Sequence, residues 1–476
     1  MSERYAAPYV FYGETVSLCE TCLERVPAKI LIQDQAVWLQ KRCRTHGTQK
    51  TLISTDVEYY KSCKEYLKPG DRPRQIFSRT EYGCPYDCGL CPDHEQHTCL
   101  ALIEITNNCN LRCPVCFADS SPEQDMFRPL SEIEAMLDTL VAAEGEPDLL
   151  QISGGEPTLH PDIMPILQLA KQRPIRHLML NTNGIRIAND PDFVAELAAL
   201  KPGFEVYLQF DSLQKQTLEG LRGVDLRSVR QRALENLEQH NISTSLVAVV
   251  QKGVNDEEIG AIIEHALQFR CVRGVTFQPV QDTGRNDTPS IKNKRMLLSD
   301  IRRAIAEQSG IFTAEDILPL PCNPESIAIG YGLRKNNSVL PITSLIPKQE
   351  WIGEVPNTVS FERYPELKQK LLELLAVHNL PDKSEEKLRH LLCCLPEFDL
   401  PQEITYEHVF RVTIVEFMDR YNFTLGGVKR SCIHFVTPEQ KIIPFDTYNL
   451  FYRDGSIERF RRQLSHIKTT GDIYEP

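Results

Sequence analysis

Short apolar runs recur along the middle of the chain, separated by longer segments whose apolar residues return at helical spacing. The strand-like runs are "LALIEIT", "DLLQIS", "HLMLNTN", "EVYLQFD", "TSLVAVV" and "GVTFQPV"; among the helix-like ones are "LSEIEAMLDTLVAAE" and "LRSVRQRALENLEQH". After the first interval the runs return at roughly thirty-residue spacing, the size of one βαβ unit. This pattern predicts a parallel α/β sheet of six strands, as an open doubly wound sheet or an incomplete barrel. Either way, chemistry gathers at the C-terminal strand ends. The loop after the first run and "GGEP" after the second are therefore expected at one mouth. From about residue 285 the pattern changes to helix-like segments such as "PELKQKLLELLAVH" with Pro-rich connections, which predict a cap over that mouth. The Leu and Ile of this region suit a lipid tunnel, or more plainly the packing faces of ordinary helices.

Composition narrows the class. The chain has 476 residues, 41% hydrophobic and 25% charged, which fits two or three globular domains. A formal net charge of -12 without a basic run argues against a nucleic-acid partner. Stretches such as "SLVAVV" fall far short of the ~20 residues that span a bilayer. The N-terminus lacks the basic start and apolar core of a signal peptide, so no transmembrane segment and a cytoplasmic location are expected. Sixteen cysteines then need a use, and in a reducing compartment that use is metal binding or redox chemistry.

The cysteines crowd toward the N-terminus. In "TNNCNLRCPVCFAD", Cys109, Cys113 and Cys116 follow the first strand-like run directly. Three thiolates at this spacing can hold three corners of a cubane and leave the fourth iron open as a binding site; ferredoxin runs supply four cysteines and leave none. A fragment of a structural zinc site is the plainer alternative. In "GGEP", Gly154 and Gly155 are side-chain-free positions where backbone must approach a ligand closely, and Glu156 offers a carboxylate to an ammonium group or stands in solvent as a turn residue. Asn181 and Asn183 end the third run, Gln209 and Asp211 the fourth; these are polar groups for a ligand, or turn formers.

Two further sets precede that loop. "CETC" (Cys19, Cys22) and "RCRTHG" (Cys43, His46) form two knuckles about twenty residues apart, which predict a single tetrahedral site for zinc or iron with three Cys and one His. Cys63 is a spare for His46 or a free thiol. "GCPYDCGLCPDHEQHTC" supplies Cys84, Cys88, Cys91 and Cys99, enough for a fully ligated 4Fe-4S cluster in electron relay; a second zinc site is the alternative, and His94 and His97 add possible ligands. Cys271 reads as a core thiol, and the adjacent Cys393 and Cys394 as structural.

Taken together, "CETCLERVPAKI", "KRCRTHG", "GCPYDCGLCPDH", "CNLRCPVCFAD", "QISGGEPTLHPD", "LQFD" and "IIPFDTYNLFYR" resemble the radical S-adenosylmethionine (SAM) superfamily, in the group that contains class D radical SAM methyltransferases and tetraether lipid synthase. The resemblance runs from about residue 15 to about residue 455. It implies a partial (β/α)6 barrel carrying an N-terminal metal-knuckle region (1–80), an auxiliary-cluster segment (81–100), the barrel itself (101–284) and a C-terminal capping region (285–476). It further implies that SAM chelates the open iron and is cleaved to a 5′-deoxyadenosyl radical. The expected cofactors are that 4Fe-4S cluster, SAM, an auxiliary 4Fe-4S cluster and one mononuclear Fe or Zn. An electron donor such as flavodoxin or ferredoxin is the implied partner. Some members carry a further C-terminal cluster, whose cysteines survive here only as Cys322 and Cys432, with Ser326, Ser431 and Asp446 where cysteine is expected.

The resemblance also implies the reaction, carbon–carbon bond formation, as methylation or chain coupling, at an unactivated carbon of a lipid or pterin-like small molecule; a carbon radical suits such a C–H bond because it has no acidic proton. No cobalamin-binding module is visible before the barrel. A radical SAM maturase of a peptide or protein is one alternative, and a noncatalytic iron-sulfur electron carrier the other. The open corner of the three-cysteine loop speaks against the carrier.

Overall fold

The computed structural model describes residues 7–287, 291–335, 338–345, 348 and 406–470. The first unit is a small antiparallel sheet, β1 (Val10–Leu18), β2 (Arg25–Gln33), β3 (Ala36–Cys43) and β4 (Gly47–Ser54), paired in chain order. A long stretch without regular strands, interrupted by a short helix at Val57–Cys63, leads to the main sheet.

All six strand-like runs form strands, and all six are parallel: β5 (Leu100–Glu104), β6 (Leu149–Ser153), β7 (His177–Thr182), β8 (Phe204–Gln209), β9 (Thr244–Val250) and β10 (Val272–Pro279). Parallel strands covered by helices read as continuous apolar runs, and every residue of β6 is buried. The helices cover the sheet with amphipathic faces. α1 (Leu130–Glu144) turns Ile133, Met136, Leu137, Leu140 and Ala143 to the core at helical spacing and ends at Gly145, whose φ of 77° terminates the helix.

The region after residue 285 does more than cover the mouth. β12 (Val409–Val415) pairs parallel with β10, and β13 (Ile433–Val436) pairs parallel with β5, so C-terminal segments extend both edges of the six-stranded sheet. Antiparallel β11 (Ile327–Lys335) then covers β12, and β14 (Ile442–Pro444) covers β13. The sequence pattern hid these strands because they are short and distant in the chain from their partners. The predicted helix "PELKQKLLELLAVH" and the Cys393–Cys394 pair lie outside the described residues. Among the described residues no helix is long and apolar enough to cross a membrane.

Candidate active site

The loops after β5 and β6 meet at the C-terminal end of the sheet, backbone to backbone. Gly155 N–H donates to Thr106 carbonyl oxygen at 2.8 Å, and Glu156 N–H to Asn108 carbonyl oxygen at 2.8 Å. A Cβ on Gly154 would stand 2.3 Å from the Thr106 oxygen, and one on Gly155 2.2 Å from the Asn108 oxygen. The two glycines thus admit the cysteine loop itself; the backbone they approach most closely is that of the loop.

Cys109, Cys113 and Cys116 line an open cavity together with Gly154, Gly155, Glu156, Asn181, Asn183 and Gln209. Burial pushes the Cys109 thiol up to about 12 and raises that of Cys113, so these sulfurs gain most from a positively charged metal centre that compensates for lost water. Soft thiolates around a polar cavity match the donor set of an iron-sulfur cluster.

Glu156 is not a solvent-exposed turn residue, being only 1% exposed. Its Oε1 accepts from Thr158 N–H (3.1 Å), Thr158 Oγ1 (2.6 Å) and Thr182 Oγ1 (2.8 Å), and its Oε2 accepts from Asn183 N–H (2.8 Å). Burial nevertheless raises its pKa. A cationic ligand group in the cavity would favour its ionised form.

The strand-end amides and carboxylates form a chain of contacts across the mouth. Asn181 Nδ2 donates to Ser153 Oγ (3.1 Å), Gln209 Nε2 to Asn181 Oδ1 (2.9 Å), and Arg222 Nη2 to Gln209 Oε1 (3.3 Å). Asn183 Nδ2 donates to Asn110 Oδ1 (2.7 Å), tying the third strand end to the cysteine loop, while its Oδ1 accepts from Ile185 N–H (3.0 Å) as a turn former does. Asp211 is completely buried and is absent from the cavity wall. Its carboxylate accepts two bonds from Arg222 (2.7 and 2.6 Å) and one from Val249 N–H (3.1 Å), with Arg230 at 3.5 Å. Although burial raises the Asp211 pKa, these cations outweigh it and hold the carboxyl below its ordinary value.

Arg222 and Arg230 were not legible as site residues. Both line the cavity, and Arg222 hydrogen-bonds Cys113, opposing the effect of burial on that thiol. Part of the lining is aromatic: Phe417 and Phe445, remote in sequence from the cysteine loop, stack with centroids 3.8 Å apart, and Phe117, next to Cys116 in that loop, stands 5.3 Å from Phe445. Beside them, Gln281 Nε2 and Thr283 Oγ1 line the cavity as buried polar atoms with no partner among the described residues.

The N-terminal ligand set comes together as expected from its spacing. Donor atoms of Cys19, Cys22, Cys43 and His46 all lie within 4.8 Å of one another, with His46 Nδ1 3.5 Å from the sulfurs of Cys19 and Cys43. Burial opposes ionisation of Cys19, but the backbone amides of Cys22 and Thr21 and the neighbouring thiols lower its pKa to about 7. Cys63 is buried at the end of its helix, outside this group, and Cys271 is fully buried.

The second N-terminal set divides differently from the sequence reading. Cys88 contacts Cys84, and Cys91 stands near enough to act on it electrostatically, but Cys99 has left them. It lies instead with Cys322 and Cys432, all three donor atoms within 4.8 Å. The cause is register: Cys99 directly precedes β5 and donates its N–H to Cys432 carbonyl oxygen at 2.9 Å, where β13 joins β5. His94 is buried against Ser431 carbonyl oxygen (2.9 Å) and His434 (3.1 Å).

The model of the radical SAM superfamily matches residues 103–266, and that described as the HMPTM N-terminal zinc ribbon domain matches residues 11–55. The 7,8-dihydro-6-hydroxymethylpterin dimethyltransferase of Methanocaldococcus jannaschii is 32% identical, over 96% of this chain and 97% of its own. The GTP 3',8-cyclase of Chlorobaculum tepidum is 28% identical over 48% of this chain and 69% of its own. Among solved structures, Streptococcus suis SuiB is similar over 44% of this chain and 45% of its own, at 21% identity and a TM-score of 0.36.

Proposed function

Because the chain belongs to the radical SAM superfamily, in the family of 7,8-dihydro-6-hydroxymethylpterin dimethyltransferase, we propose that it is an enzyme that methylates a reduced pterin at unactivated ring carbon. Carrying this reading is the cavity lining, in which stacked Phe417 and Phe445 occur together with the unpartnered Gln281 Nε2 and Thr283 Oγ1. A flat heteroaromatic ring gains from aromatic faces, and its edge of amide and amine groups gives buried polar atoms the partners that a lipid tail lacks.

Cys109, Cys113 and Cys116 would hold the SAM-binding cluster, with Glu156 taking the ligand's ammonium and the Asn181–Gln209 pair its polar flank. When bound, the cluster and SAM would supply reductive cleavage of the sulfonium bond and hydrogen abstraction from unactivated carbon; the methyl carbon would come from a separate one-carbon donor, either a second SAM, which leaves as S-adenosylhomocysteine, or a methylene-bearing reduced pterin, with dithionite supplying the electrons. Arg222 keeps positive charge against Cys113, and Asp211 keeps Arg222 in place. The aromatic side chains would help exclude water from the cavity once substrate is bound. Cys84, Cys88 and Cys91 repeat the spacing of the cavity loop and would hold the auxiliary cluster with a fourth ligand other than Cys99.

The test is anaerobic. Reconstituted enzyme is incubated with dithionite, 7,8-dihydro-6-hydroxymethylpterin and excess SAM, with and without a methylene-bearing reduced folate as one-carbon donor, and 5′-deoxyadenosine and methylated pterin are read by mass spectrometry, with Cys113→Ala as control. Both products are expected, and both are lost in the variant. 5′-Deoxyadenosine without any methylated pterin would retain the radical chemistry and overturn the substrate.

A further inference from the structure

Beyond the end of β10 the chain runs back across the cysteine loop as a strap, residues 281–287. Arg285 pairs antiparallel with Cys116 and Asn286 with Val115, and Asp287 N–H donates to Pro114 carbonyl oxygen at 3.1 Å. Gly284 permits the approach: its φ is 63°, and a Cβ there would stand 2.4 Å from the carbonyl oxygens of Cys116 and Phe117. The strap is closed on itself, since Asn286 Nδ2 donates to Gln281 carbonyl oxygen at 2.8 Å. It is also tied to the segment of Phe417, because Asp282 N–H donates to Asp419 Oδ2 at 3.1 Å and the Asp282 carboxylate pairs with Arg420 Nε at 3.1 Å.

One side chain of the strap grips the loop. Arg285 Nε donates to Cys113 carbonyl oxygen (2.7 Å), Nη2 to Ser120 carbonyl oxygen (2.7 Å) and Nη1 to Asp119 Oδ1 (2.9 Å). Among the described residues, the two-residue strand Val115–Cys116 pairs only with the strap, so backbone groups of this loop depend on such donors. A planar guanidinium fixes three acceptors at once, which the point charge of a lysine does not. The same strap carries Gln281 and Thr283, whose unpartnered Nε2 and Oγ1 line the cavity. Arg285 itself is absent from that lining.

We propose that Arg285 is a positioning residue that couples the two ligands of the cavity: by fixing the cysteine loop to the strap, it makes occupancy at Gln281 and Thr283 alter how tightly the cluster loop presents its SAM site. The identity of the occupant, a reduced pterin, rests on the function proposed above. A ligand edge bonded to Gln281 and Thr283 orders the strap, and Arg285 carries that order to the carbonyls of Cys113 and Ser120, on either side of Cys116. Coupling of this kind is reciprocal, so each ligand strengthens the other by one factor.

The experiment measures the dissociation constant of SAM on the anaerobically reconstituted full chain, without reductant so that SAM stays intact, at zero and saturating 7,8-dihydro-6-hydroxymethylpterin. Wild type is expected to bind SAM at least about fivefold more tightly with pterin present, and pterin more tightly by the same factor with SAM present. Arg285→Gln, with iron and sulfide loading unchanged, should weaken SAM alone about tenfold and abolish the mutual effect. Arg285→Lys keeps the charge without the fork and should recover part of the SAM affinity, with coupling still below that of wild type. SAM affinity and coupling in Arg285→Gln equal to those of wild type would overturn the proposal, and so would a wild type that binds both ligands without mutual effect. A wild type that binds no pterin would overturn the substrate instead; Arg285 is then decided by SAM alone, where a tenfold weakening in Arg285→Gln supports its positioning role and an unchanged constant refutes it. Should Arg285→Gln fail to load its cluster, Arg285→Lys decides, and full coupling in that variant refutes the role.

Discussion

Asp211 shows how a polar residue at a strand end acquires its role from what surrounds it. Read alone, it is a ligand group or a turn former; folded, it is buried under two arginines and reaches the cavity only through Arg222 and Arg230. Replacing Arg222 by Leu leaves a buried carboxylate with Arg230 as its remaining cation, and a broken buried pair costs about 3–5 kcal/mol. Thermal unfolding should register that loss. The variant also removes positive charge from Cys113, so the midpoint potential of the reconstituted SAM cluster should move to more negative values. Arg222→Lys retains the charge and should restore most of the potential but not all of the stability, because a point charge lacks the two-pronged geometry. An unchanged potential in Arg222→Leu would show that the guanidinium does not act on the cluster.

Between elements, the decisive contacts are backbone to backbone. The β6 loop can lie on the β5 loop only because residues 154 and 155 have no side chains. Gly155→Ala places a methyl 2.2 Å from the Asn108 oxygen, and the Cys109 loop must shift to relieve it. The expected cost is roughly 1–3 kcal/mol, in line with overpacking of a tight site. Iron bound after reconstitution should fall with it, while the ribbon metal remains. Full loading with unaltered iron-sulfur absorbance would mean that the loop tolerates the shift. Other contacts made only in the fold are the pairing of β12 on β10 and of β13 on β5, which bring Phe417 and Phe445 to the cavity and Cys432 to Cys99.

Over the whole molecule, the zinc ribbon docks on the segment that begins at Phe417. Ser17 Oγ donates to Phe423 carbonyl oxygen at 2.6 Å, buried Lys41 Nζ to Arg420 carbonyl oxygen at 2.6 Å, and Lys292 pairs with Glu20 at 2.7 Å. Burial lowers the Lys41 pKa to about 8, against the pull of Glu20, so this anchor is costly to bury and is retained by its specific contacts. Removing the ribbon metal, by chelation or by Cys43→Ser, should therefore loosen the aromatic wall as well as the ribbon. The expected result is a roughly tenfold rise in KM for the proposed pterin substrate, equivalent to about 1.4 kcal/mol, with the SAM-cluster iron still bound. An unaltered KM would confine the ribbon to stability alone.

Local chemistry was legible in the chain. The six parallel strands showed as apolar runs because both of their faces are covered; the cavity cysteines and the ribbon ligands showed because each set lies within a short span whose spacing limits what it can bind. Glu156 was found by its motif, but its burial was not, since burial depends on Thr158, Thr182 and Asn183 folding around it. Tertiary structure alone decided that Cys99 leaves Cys84, Cys88 and Cys91 for Cys322 and Cys432, that Arg222 reaches Cys113, and that Phe417 and Phe445 face the mouth. Sequence by itself determined which metal chemistry the chain can support, because ligand spacing within a loop is a local property. Which cysteines share a site and what wall faces them belonged to the fold, because those residues meet only when strands separated by hundreds of positions pair edge to edge.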